Sequence, residues 1–286
     1  MQILLTTSEM RAACRAAKTR GRLGLVPTMG ALHEGHLSLV RVARAQCQTV
    51  SVSIFVNPAQ FGPNEDLAKY PRTFERDCEL LEREGVDLLF APSVQEMYPA
   101  GAATWVTVEG LSQKLCGRSR PAHFRGVTTV VSKLFHIVEP DLAFFGQKDA
   151  AQCTILRKMV RDLDLPVELV IGPIVREPGG LAMSSRNSYL NPEQRRSATV
   201  LHRALSRVAE LAGKGERRAS KLIDAAQRIF LEEPDVRLDY VEIVDNDTLD
   251  LVEDISRGAL VAVAAYVGST RLIDNLLLPQ QSSPAS

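Results

Sequence analysis

Apolar positions along the chain follow two alternating rhythms. Short, nearly continuous runs such as "RLGLV" (22–26), "TVSVSIFV" (49–56), "VDLLFAP" (86–92), "DLAFFG" (141–146) and "VELVIGPIV" (167–175) read as buried strands. Between them the spacing lengthens to that of a helix. His36, Val40, Ala43 and Cys47 share a stripe, as do Phe74, Cys78 and Leu81 before a stop at Gly85. Val127, Val130, Val131, Leu134, Phe135 and Val138 form a third stripe, and "AAQCTILRKMVRDL" (150–163) predicts another helix, with Ile155, Leu156, Met159, Val160 and Leu163 inward. Continuous apolar strands alternating with helices imply an α/β fold whose parallel sheet is covered on both faces.

The rhythm changes after about Asn187. "NPEQRRSATVLHRALSRVAELAGKG" (191–215) reads as one long helix with a polar start and a glycine stop. Leu222, Ala226, Ile229 and Phe230 mark a further helix, and "LDYVEIVD" and "ALVAVAAYVGSTRLIDNLLL" read as strands. Two domains are therefore expected, 1–180 and a smaller α+β unit at 181–286, whose polar tail "PQQSSPAS" lacks the composition to pack.

Composition narrows the function classes. The chain has 286 residues, 45% hydrophobic and 24% charged, with formal net charge zero. No global field draws it to nucleic acid or an anionic membrane, so neither is expected as a partner. Cys14, Cys47, Cys78, Cys116 and Cys153 show neither metal-pair spacing nor a disulfide framework, which favours a reducing compartment. The short apolar start resembles neither a signal peptide nor a membrane span, and a cytoplasmic location is expected.

Ligands in open α/β sheets lie beyond the carboxyl ends of the strands. Four predicted strand ends carry unusual polar stretches: "PTMGALHEGH", "NPAQFG", "GQKD" and "REPGGLAMSSRN". His33 and His36, three apart at a helix mouth, fit a metal site without an evident third ligand, a helix cap, or an anion site in which ring donors join helix N–H groups and Gly30 and Gly35 admit close approach. Lys148 is a solvated charge or a phosphate partner. Gln152 extends the inward helical stripe to the rim, as a buried amide or a ligand contact, and Gln60 is a similar loop amide. Ser184 and Ser185 cap a helix or, with Arg186, clamp phosphates. Asp77 is a solvated acid unless a nucleoside triphosphate brings magnesium. Arg120 and Arg125 are helix-start charges or anion ligands. Neither a P-loop nor G-x-G-x-x-G occurs.

Together these stretches resemble a known family. "PTMGALHEGH" is similar to the H-x-G-H signature of nucleotidylyltransferases, and "FVNPAQFG", "DLAKYPRT", "FFGQKD" and "GLAMSSRN", in this order, resemble the pantoate–β-alanine ligases. The resemblance implies a Rossmann-like domain with a C-terminal lid, a homodimer, and substrates ATP, pantoate and β-alanine, with Mg2+ accompanying ATP. It implies an acyl-adenylate route to pantothenate, with release of pyrophosphate and then AMP. Met29, Gly30, Ala31, Leu32, His33, Glu34, Gly35 and His36 match the family's ATP-binding stretch, with His36 at the position of its proton donor. Gly146, Gln147, Lys148, Asp149, Val175, Met183, Ser184, Ser185 and Arg186 match further ATP contacts. Gln60 matches a pantoate and β-alanine contact, Gln152 a pantoate contact, and Asp77 an acidic position near the metal. Arg76 departs from the adjacent acids of other members, and Gln147 replaces a frequent Glu. His33, His36, Lys148 and Arg186 are the expected catalytic groups, because a carboxylate attacking a phosphate needs its charge offset.

Overall fold

The computed structural model describes residues 1–63 and 65–280. The end of the polar tail, 281–286, lies outside the described residues. The first part of the chain runs β1 (Gln2–Leu4), α1 (Thr7–Lys18), β2 (Leu23–Thr28), α2 (Glu34–Gln46), β3 (Thr49–Ile54), α3 (Phe74–Arg83), β4 (Leu88–Phe90), α4 (Val94–Met97), α5 (Cys116–Ser119), α6 (His123–Val138), β5 (Leu142–Gly146), α7 (Ala150–Asp162) and β6 (Glu168–Gly172). The second runs α8 (Pro192–Ser197), α9 (Val200–Gly213), α10 (Ala219–Phe230), β7 (Val236–Val244), β8 (Ala259–Val267) and β9 (Thr270–Leu278).

The first six strands form a parallel sheet ordered β1-β4-β3-β2-β5-β6, a Rossmann-like arrangement. Strand alternation sorts its side chains to two faces. Leu25 and Phe145 join a core built with α1, α6 and α7, while their neighbours Val26 and Phe144 join a second core with α2 and α3. From β2 the chain winds outward through β3, then returns to place β5 on the other side of β2. The crevice at the carboxyl ends of β2 and β5 is therefore the point where strand order reverses, the ordinary ligand position of this architecture.

The last three strands form an antiparallel sheet, β7-β8-β9. The unbroken apolar sequence of β8 follows from cover on both sides: Leu260 and Ala262 reach the core of the parallel-sheet part, whereas Val261, Val263 and Ala265 pack with α9 and α10.

Two expectations about the elements change, and one stretch gains elements. The long helix over 191–215 is two, α8 and α9, divided at Ala198–Thr199. Leu163 caps α7 and is 49% exposed, so the inward stripe ends before it. The amino-terminal segment, too short in apolar run to stand out, forms the edge strand β1 and the capped helix α1, where Thr6 and Glu9 close a capping box.

Candidate active site

The polar strand ends surround one cleft of about 1020 Å³. Beneath its lining, β2 ends in a turn whose backbone enters the left-handed region at Gly30 (φ 79°) and at Ala31 (φ 49°). For alanine this costs on the order of 1 kcal/mol. Asp77, from α3, opposes the cost: its carboxylate accepts hydrogen bonds from the N–H groups of Ala31 and Leu32, both at 2.9 Å, and from the Thr73 hydroxyl. Asp77 is 1% exposed and does not line the cleft. The expected metal contact thus falls on an acid whose oxygens already brace the turn. Among the described residues no group of three or more His, Cys, Asp or Glu gathers to hold a metal.

That brace delivers His33 to the mouth of α2. His33 Nδ1 accepts from the Gly35 N–H (3.1 Å), and His36 Nδ1 accepts from the His33 N–H (3.4 Å), so the pair forms a reciprocal cap. A neutral imidazole that accepts at Nδ1 carries its proton on Nε2. Burial lowers His33 to about 4, with the nearby Lys148 charge adding to it; burial, then His33 and Lys148, lower His36 to about 3. Both rings are thus neutral Nε2–H donors in the cleft wall, and neither Nε2 has a protein partner among the described residues. The capping and ligand readings of the histidines are compatible, one for each ring nitrogen.

The same geometry engages part of the backbone of this stretch. The amides of Ala31, Leu32 and Gly35 are spent on Asp77 and His33, and Gly30, Ala31, Leu32 and Glu34 do not line the cleft. Leu32 is core, and Glu34 pairs with Arg41. Met29, His33, Gly35 and His36 do line it.

Beyond β5, Gly146, Lys148, Asp149 and Gln152 face the cleft, whereas Gln147 turns away and donates its amide to Asn275 of β9. Lys148 Nζ touches Asp149 at 3.3 Å. Burial raises the Asp149 carboxyl, but the surrounding charges, Lys148 first, together outweigh this and leave it below its usual range. The Gln152 side-chain amide has no protein hydrogen bond among the described residues, unlike an amide buried for structure.

After β3, Asn57 organises the turn that carries Gln60. Its amide donates to Gln60 Oε1 (3.1 Å) and to the Gly126 carbonyl (3.0 Å). Helix α6 lies against this turn so closely that a Cβ on Gly126 would meet the Ala59 carbonyl oxygen at 2.3 Å. Gln60 is left 9% exposed, with its amide nitrogen on the Met29 sulfur.

Val175, Met183, Ser184, Ser185 and Arg186 line the opposite side. Ser184 caps the short turn that follows it, and Ser185 bonds the Tyr70 hydroxyl at 3.0 Å. Arg186 reaches Asp66 through Nε and Nη2, each at 2.9 Å. Arg120 is held by Glu65, while Arg125 lies outside the cleft over the Trp105 ring.

Sequence reasoning missed His123. It lines the cleft and donates from Nδ1 to the Gln60 carbonyl (3.0 Å), which leaves a lone pair on Nε2. Burial, reinforced by Arg120, lowers it to about 4. The available signal was its place beside Arg120 in "RPAHF", at the start of an apolar helix.

The sequence model of the family described as Pantoate-beta-alanine ligase matches residues 2–277. Pantothenate synthetase of Koribacter versatilis is 62% identical over 279 residues, covering 97% of this chain and 96% of that protein. Pantothenate synthetase of Moorella thermoacetica is 58% identical, covering 97% and 99%. Among solved structures, pantothenate synthetase from Thermus thermophilus superposes with a TM-score of 0.92 at 50% identity, covering 96% of this chain and 99% of its own. The Francisella tularensis pantoate-beta-alanine ligase, complexed with beta-gamma ATP and beta-alanine, gives 0.76 at 30% identity, with full coverage of both chains (100% and 100%).

Proposed function

The chain belongs to the pantoate-beta-alanine ligase family, and from that premise we infer how its cleft carries out the reaction. The protein is a ligase that uses ATP to condense pantoate with β-alanine into pantothenate. The reading supported best is a two-step route. The pantoate carboxylate attacks the α-phosphorus of ATP, the bond to pyrophosphate breaks, and pantoyl adenylate forms. The β-alanine amine then attacks the acyl carbon and AMP leaves with the bonding pair.

One observation carries this reading: the Nε2–H donors of His33 and His36 and the Lys148 ammonium face one cleft at the β2/β5 switch point, beside the amide of Gln152. Carboxylate and triphosphate repel each other, and fixed donors with a nearby cation offset that repulsion without reorganising. In this proposal the histidines are neutral hydrogen-bond donors to phosphate oxygens, His36 toward the departing pyrophosphate. Lys148 offsets the developing charge, and Arg186 supports the nucleotide side with Met29, Gly146, Asp149, Val175, Met183, Ser184 and Ser185. Gln60 and Gln152 hold pantoate, and Gln60 also holds β-alanine.

Magnesium is part of the proposal only as a companion of the ATP phosphates. Asp77 is committed to the turn, and Asp66 and Glu65 are tied to arginines, so these acids do not fit a protein-held ion. The partition at 180/181, with 181–286 as a lid, rests on the separate helix-packed core of the second part. A homodimer rests on family likeness and a cytoplasmic location on the cysteine pattern, and they are checked by light scattering and cell fractionation. No helix among the described residues is long and apolar enough to cross a membrane.

The deciding experiment is pantoate-dependent exchange of labelled pyrophosphate into ATP with β-alanine omitted. Exchange is expected; its absence would rule out the adenylate route. Closure over the adenylate further predicts that proteolytic nicking near Gly179 and Gly180 slows when ATP and pantoate are both bound.

A further inference from the structure

Lys148 stands on a short turn between β5 and α7, and that turn is gripped from the other sheet. Asn275, in the middle of β9, is 3% exposed. Its amide nitrogen donates to the carbonyls of Gln147 and Lys148, both at 2.9 Å, and its oxygen accepts from the Gln147 side chain at 3.0 Å. Both donor hydrogens and the acceptor are thus used on a two-residue target 127 and 128 positions away. A buried amide is costly unless satisfied, and here its satisfaction fixes the backbone under Lys148 to a particular place. The adjacent strand residue, Asp274, holds Arg176 at 2.6 and 3.0 Å, and Arg176 donates to the Gly180 carbonyl at 2.9 Å. Neighbours on one strand therefore grip the two loops that border the phosphate side of the cleft.

We propose that Asn275 is a positioning residue for adenylation, acting through the Gln147–Lys148 backbone to hold the Lys148 ammonium where the phosphates react. This rests on the role for Lys148 proposed above. Geometry at a reacting phosphate is sensitive to displacements of about 1 Å, which cost up to about a hundredfold in rate. The amino-terminal sheet supplies the cation, and the carboxyl-terminal sheet supplies its placement.

The test is a double-mutant cycle on the full chain. Pantoate-dependent ATP/pyrophosphate exchange is measured for the wild type, Asn275→Ala, Lys148→Ala and the double variant, using labelled pyrophosphate to follow low rates. Asn275→Ala is expected to slow exchange about ten- to a hundredfold with little change in KM for pantoate. Once Lys148 is alanine, the same substitution should cost less than about twofold, because residues acting through one another are not additive. An equal loss in both backgrounds, or no loss in either, overturns the proposal. Should Asn275→Ala fail to fold, Asn275→Asp runs the same cycle: it keeps the shape and the acceptor but offers no donor to the two carbonyls, and the same non-additivity is expected. Absence of exchange in the wild type overturns the adenylate reading and this inference together, whereas wild-type exchange with an additive cycle overturns the inference alone.

Discussion

The two sides of the cleft treat charge differently. At the carboxyl ends of β2 and β5, the donors of His33, His36 and Gln152 are free of protein partners among the described residues, and Lys148 has only a loose contact with its neighbour. On the loop side, the cleft arginines are already engaged, Arg120 with Glu65 and Arg186 with Asp66, and behind them Arg176 pairs with Asp274. Strand ends are rigid, and the backbone beneath these donors is held by Asp77 and Asn275, so their side chains remain available to a ligand. Loops are not rigid, and their cations are used first to hold the loops together. A basic residue in a loop motif is therefore weaker evidence of ligand contact than the same residue at a strand end.

Removing the strand-end cation should have the largest effect. Lys148→Ala is expected to slow ATP/pyrophosphate exchange by about 10²–10³-fold, the range for losing one preorganised electrostatic group, with the thermal midpoint nearly unchanged. A loss under about threefold would mean that the strand-end side is not where transition-state charge is met. Asp77→Asn should act on stability. It weakens charged hydrogen bonds to Ala31 and Leu32 under a left-handed turn, and a loss of about 2–3 kcal/mol is expected from urea unfolding. The magnesium concentration giving half-maximal activity should not move. A large shift in that requirement with stability intact would restore Asp77 to a metal role.

These contrasts explain what was readable in the sequence. The parallel sheet, the switch-point cleft, His33, His36, Lys148 and Gln152 all leave local signals, because strand period, helix stripe and strand-end position are properties of neighbouring residues. Asp77 illustrates the limit. Its residue type and family position suggest metal, whereas its hydrogen bonds run to a turn 45 and 46 residues earlier. Arg186 and Asp66 are 120 residues apart, and Asn275 and Gln147 are 128 apart, so no local period reports either pairing. The backbone amides of the histidine motif make a related case. The motif shows where the amides are, but not that Asp77 and the His33 ring have already taken their hydrogens.

Acid should expose the neutral state of the histidines. In the folded chain His33 lies at about 4 and His36 at about 3, below the ordinary 6.5 they regain on unfolding. Between those values the unfolded chain binds more protons, so stability is fully present above about pH 6.5 and is lost as pH falls toward 4 and 3. Each neutral ring contributes a slope of up to about 1.4 kcal/mol per pH unit. Urea midpoints should therefore fall between pH 6.5 and 4.5, and His36→Gln should flatten that fall. Ring resonances titrating near 6.5 in the folded protein would contradict the neutral-donor assignment.

The smallest effect should come from the loop side, where it is also the most diagnostic. Asp66 takes the Nε and Nη2 hydrogens of Arg186 in a pair whose side chains are 27% and 23% exposed. Burial raises the Asp66 carboxyl, but the guanidinium outweighs it and leaves it below its usual range, so the pair is charged at neutral pH. Arg186 Nη1 has no protein partner among the described residues. If Asp66 aims that remaining edge at the nucleotide, Asp66→Asn should raise KM for ATP about threefold, leave kcat nearly unchanged and cost about 1 kcal/mol or less in stability. If instead Asp66 competes with the nucleotide for the guanidinium, the same substitution should lower KM for ATP. The direction of that change separates a loop cation held in place for the ligand from one withheld from it.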